Sequence, residues 1–70
     1  MHVKPHLLDV VALVEDVPSE KLVRGQVGTV VEVHDVDHFE VEFSDDEGRT
    51  YALLPLSASQ LLVLHHAPVG

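Results

Sequence analysis

The run Phe39-Glu40-Val41-Glu42-Phe43 alternates apolar and acidic residues without a break, and turn-forming residues stand on both sides of it. A period of two places the apolar side chains on one face of a strand and the carboxylates on the other. Asp35-Val36-Asp37 precedes the run, and Asp45-Asp46-Glu47-Gly48 follows it with glycine where a left-handed backbone is tolerated. The middle of the chain therefore has to be an antiparallel meander with one buried side and one acidic side.

Further strands extend this meander. Asp9 to Val14 is β-branched and apolar on both parities, as in a strand covered on most sides. Glu15 to Arg24 contains Pro18 and lacks a continuous helical stripe, so it reads as a long loop. Gly25 and Gly28 close that loop as a tight turn or bulge, where glycine supplies a positive φ or lets a neighbouring backbone come close. From there Val27, Thr29, Val31 and Val33 are expected to face inward, with Val30 breaking the alternation and a bulge near Gly28. Arg49 to Leu54 returns as a fourth strand that Pro55 should stop. Ser57 to Gln60 suits one 3-10 turn, and Leu61 to Leu64 a last short strand. Val11, Val30, Leu54 and Leu56 are left as surface residues open to self-association. The expected architecture is all-β: a small SH3-like barrel of five strands over residues 7–64, with tails at 1–6 and 65–70.

Composition narrows the function. Four basic against twelve acidic residues give a formal charge of −8, which opposes phosphate binding because nucleic-acid affinity rests on Lys and Arg. Seventy residues leave room for one core, and a chain this short buries only about 60% of its unfolded surface, so homo-oligomerisation would help it. The absence of cysteine removes thiolate metal sites, disulfides and thiol nucleophiles. No apolar run is long enough to span a bilayer. The hydroxyl residues form no nucleophile elbow and Gly25-x-x-Gly28 is no phosphate loop, so no enzymatic activity and no cofactor are expected. A cytoplasmic location is expected.

The runs Leu8-Asp9-Val10-Val11-Ala12-Leu13, Arg24-Gly25-Gln26-Val27-Gly28-Thr29-Val30-Val31-Glu32-Val33, Gly48-Arg49-Thr50-Tyr51-Ala52-Leu53 and Gln60-Leu61-Leu62-Val63-Leu64 resemble a family of short stand-alone bacterial proteins known as a domain of unknown function. The resemblance implies an SH3-like fold and carries no activity. The segment Gly25 to Val33 is also similar to the KOW motif of ribosomal and transcription-factor barrels. KOW domains that touch RNA are typically basic, whereas this chain puts Glu32, Glu40 and Glu42 on its outer face.

Three sets of residues are candidates for a site. Glu32, Glu40 and Glu42, with Tyr51, Arg24 and Arg49 near them, could meet a neutral or basic protein partner. His34, His38, Asp35 and Asp37 offer imidazoles and carboxylates at one hairpin tip, a ligand set for zinc or nickel. His2, His6, His65 and His66 would gather if the first and last strands pair. Gly25, Gly28 and Gly48 are assigned to turns. The expected function is a non-catalytic protein-binding module, antitoxin-like or accessory to a larger bacterial protein. The alternatives are a histidine-based metal-binding or pH-responsive accessory protein and a KOW-like nucleic-acid binder.

Overall fold

A computed structural model describes residues 4–64. They form β1 (Val10–Leu13), β2 (Val27–Val33), β3 (His38–Ser44), β4 (Thr50–Ser57) and β5 (Leu61–Val63), with 3-10 turns at Pro18–Glu20 and Ala58–Gln60. The five strands make one antiparallel sheet in the order β4-β3-β2-β1-β5. No helix among the described residues is long and apolar enough to cross a membrane. The small all-β architecture, with a 3-10 turn just before the last strand, is the one the sequence predicts.

A single sheet with no second layer over it can bury a face only by curling on itself. Side chains from every strand meet on that inner face: Val11 and Leu13 from β1, Val30 from β2, Phe39, Val41 and Phe43 from β3, Leu54 and Leu56 from β4, Leu61 from β5. β3 follows the predicted alternation along its whole length. Val11, Val30, Leu54 and Leu56, expected at the surface, are all core residues. They lie opposite inward-facing neighbours, as in the pairs Val30–Val41, Val41–Leu54 and Phe39–Leu56.

β2 departs from the expected parity. Its buried residues are Gly28 and Val30, while Val27, Val31 and Val33 are 48%, 40% and 45% exposed. Gly28 therefore sits inside a strand, and the backbone there has no positive φ. A Cβ on Gly28 would stand 2.8 Å from the Glu42 carbonyl oxygen and 2.8 Å from Val41 Cγ1. The residue is needed for close approach rather than for a turn. The bulge falls between Val30 and Glu32, not at Gly28, and it shifts the register of everything beyond it. Gly25 and Gly48 do take the left-handed conformation expected of them, with φ of 94° and 79°.

Pro55 does not end β4, which runs on to Ser57 with Pro55 opposite Glu40. β4 is the outermost strand of the order, where one row of ladder groups has no partner and proline is tolerated. The loop after β1 is also more ordered than a plain connection. Its 3-10 turn is flanked by a bridge between Val17 and Leu22, and Leu22 reaches the core at 2% exposure. At the N-terminal end, the Leu8 N–H donates to the Val30 carbonyl at 2.7 Å and Lys4 Nζ to the Val36 carbonyl at 3.2 Å, so this segment lies along β2 and its hairpin.

Candidate functional site

The outward-facing residues of the sheet fall into rows fixed by the strand register. Leu62, Ala12 and Val27 make a row across β5, β1 and β2. The next row is Val10, Thr29, Glu42 and Leu53, across β1 to β4. The third is Glu32, Glu40 and Pro55. This face is apolar on β5 and β1 and acidic toward β3, because each strand puts its inner-face residue one position before or after these. Val27, Leu53 and Leu62 are each about half exposed, at 48%, 54% and 53%.

The three glutamates expected to share the outer face do so, and Glu32 lies directly across from Glu40. Like charges so placed repel. His34 sits between them, with Nε2 2.6 Å from Glu40 and Nδ1 3.9 Å from Glu32. The contact with Glu40, then the field of Glu32, raises the His34 pKa above the usual imidazole value, against the desolvation that lowers it. Glu42 accepts a hydrogen bond from Thr50 Oγ1 at 2.8 Å.

The hairpin histidines and aspartates do not form one ligand set. His34 turns to Glu40, whereas His38 Nδ1 lies 3.0 Å from Asp35. Asp37 contributes its backbone N–H to Asp35 at 2.8 Å. Among the described residues no group of three or more His, Cys, Asp and Glu side chains is placed to hold a metal ion. The four residues thus divide between two separate contacts, His34 with Glu40 and His38 with Asp35. Asp35 is held below the ordinary carboxylate range, first by the Asp37 N–H and then by His38. At the termini, β1 and β5 do pair, but His2, His65 and His66 lie outside the described residues. His6 donates its backbone N–H to Asp9 at 2.8 Å.

Arg49 is occupied within its own hairpin. Its Nε lies 3.2 Å from Asp45 and its Nη2 3.3 Å from Glu47. Arg24 donates its backbone N–H to Asp16 at 2.8 Å, and among the described residues its guanidinium makes no ion pair. Tyr51 tilts against Phe43 with ring centroids 6.4 Å apart, and its hydroxyl accepts from Gln26 Nε2 at 3.0 Å. That places Tyr51 at the rim beside the Gly25 turn. Gln26, which the sequence reading passed over, is the link: its Oε1 also accepts from the Val23 N–H at 2.6 Å. A lone glutamine between two glycines gives no sign of this in sequence.

A family model described as a domain of unknown function, DUF4926, matches residues 7–63, and the chain belongs to that family. Comparisons with characterised proteins and with solved structures give no match.

Proposed function

We propose that this DUF4926 chain is a non-catalytic docking module that binds another protein through the outer face of its sheet. The observation that supports this most directly is that Val27, Leu53 and Leu62 stand half-exposed on strands that bury Val30, Leu54 and Leu61 on their inner face. Apolar surface left open beside charged residues is the composition of a binding patch, with an apolar centre and a polar rim. The acidic row beside it favours a neutral or basic partner, as a chain of net charge −8 also does. The role we attach to it is antitoxin-like or accessory to a larger protein, in the bacterial cytoplasm. A cysteine-free chain suits that setting.

The test is affinity purification of a tagged copy from its own cells. A single stoichiometric protein should accompany the wild type and be lost with the Val27→Ser/Leu62→Ser variant. Recovery of the bait alone from the wild type overturns the docking reading. A pH-responsive role has one observation in its favour, the His34 imidazole between Glu32 and Glu40. Partner capture that is the same on both sides of the imidazole titration would end that second reading.

A further inference from the structure

We infer that the partner element received by this face is a basic amphipathic helix, its apolar stripe on the Leu62–Ala12–Val27 row and its Lys or Arg side chains over Glu42, Glu40 and Glu32. This rests on the docking reading and specifies its chemistry.

The first reason is the backbone. β1, β2 and β3 are interior strands, so their N–H and C=O groups already serve the ladders on both sides. A partner lying on them gains no main-chain hydrogen bonds and must satisfy its own, which a helix does and an added strand does not. The edges are poor sites for strand addition too: β5 is three residues long, and β4 carries Pro55.

The second reason is shape. The apolar row crosses three strands, so it spans two interstrand spacings, about 10 Å. A helix with its side chains is about 10–12 Å wide. A helix seated over β1 and β2 therefore covers Val10, Ala12, Val27 and Leu62, brings one flank to Glu42 and Glu40 on β3, and runs toward Glu32 at the far end of β2. Lysine and arginine stems pack over apolar surface while their heads reach outward, which matches a face that passes from Val27 on β2 to Glu42 on the adjacent β3.

The third reason is charge, which also excludes the competing occupants. A second copy laid face to face would bring the same glutamates of another chain of net charge −8 against these. Nucleic acid and an anionic bilayer present phosphates, of the same sign as the face. The three carboxylates keep acceptor positions beyond their internal contacts with His34 and Thr50, and Glu32 has a side chain 67% exposed.

The experiment titrates the isotope-labelled chain with a synthetic Leu/Lys helix of about 18 residues, roughly 27 Å long, with leucines at helical spacing. The controls are a peptide of the same composition scrambled to remove its apolar stripe, and polylysine. Amide shifts are expected at Ala12, Val27, Thr29, Glu42 and Leu62. The scrambled peptide should bind at least tenfold more weakly, and added salt should weaken binding by the helix. Val27→Ser and Leu62→Ser should each raise Kd severalfold. Val36→Ser, at a hairpin-tip residue 78% exposed and off this face, should leave Kd unchanged. Equal binding of the scrambled peptide or polylysine would reduce the effect to bulk charge and overturn the inference. Shifts confined to the loop after β1, or none, would overturn it as well. If the peptide fails in either way while the wild-type chain captures a cellular protein that the Val27→Ser/Leu62→Ser variant loses, docking stands and the helix chemistry falls.

Discussion

β2 and β3 are neighbours of equal length, seven residues each, yet they use the sheet differently. β3 buries Phe39, Val41 and Phe43 in strict alternation and turns its polar residues outward from end to end. β2 buries only Gly28 and Val30, then bulges and presents Val31 and Val33 at the surface. Gly28 lets β2 and β3 lie in close contact in the first half of β2. Beyond the bulge the strand leaves the core and becomes one side of the exposed hairpin that carries His34. A small domain can in this way hold a rigid centre and offer apolar surface from the same strand.

Replacing side chains at matched positions sharpens that contrast. Phe43→Ala should be the most damaging, at about 3–5 kcal/mol, since it empties the largest fully buried position and removes the support of Tyr51. Chemical denaturation measures it, and a loss under about 1 kcal/mol would mean that β3 is not the packed strand described. Gly28→Val should follow, at about 1–3 kcal/mol or more, because its side chain runs into the Glu42 carbonyl and the Val41 and Phe43 side chains. A stable, folded Gly28→Val protein would show that β2 and β3 stand further apart. Third comes the pair Val30→Ala and Val31→Ala: about 1–3 kcal/mol for the first and within about 0.5 kcal/mol for the second. Equal losses would place the bulge elsewhere.

The smallest effect concerns the two hairpin tips, which use similar acidic turns with different counter-charges. In the β3–β4 tip, Asp45 accepts from the N–H groups of Glu47 and Arg49 and pairs with the Arg49 guanidinium. Its pKa is lowered, chiefly by the Arg49 N–H, so its contribution is present above the ordinary carboxylate value of 3.8 and lost only as pH falls through the lowered one. In the β2–β3 hairpin the positive charge is an imidazole. His34 has a raised pKa, so its contribution is complete below 6.5 and disappears as pH rises through the elevated value. The melting temperature of His34→Gln should therefore lie below that of the wild type in mildly acidic buffer and coincide with it in alkaline buffer. Asp45→Asn should lower it equally in both. A His34→Gln deficit that persists at alkaline pH would mean that His34 acts through packing rather than charge.

Much of this molecule is legible in the chain itself, for reasons visible in particular residues. Glu40 and Glu42 mark the outward parity of β3, so Phe39, Val41 and Phe43 could only face in. β2 has no such marker in its first half, where Val27, Val30 and Val31 are all apolar and a glycine holds an inward position, so parity cannot be read without knowing what lies across it. Glu32 shares the parity of the buried Gly28 and Val30 and turns outward only past the bulge, whereas on β3 the acidic half of the outer face follows from spacing alone. The apolar half of that face does not, since Leu62, Ala12 and Val27 are far apart in the chain and become a row only through the pairing of β1 with both β5 and β2.

Composition and local periodicity determined the all-β class, the meander, the turn before the last strand and the sign of the surface, because these depend on neighbours a few residues away. Which valines are core, where the bulge lies, how His34 and His38 part company, and which apolar residues remain uncovered were decided by strand register. Register is a property of pairs of strands, and shifting it by one residue exchanges inside for outside.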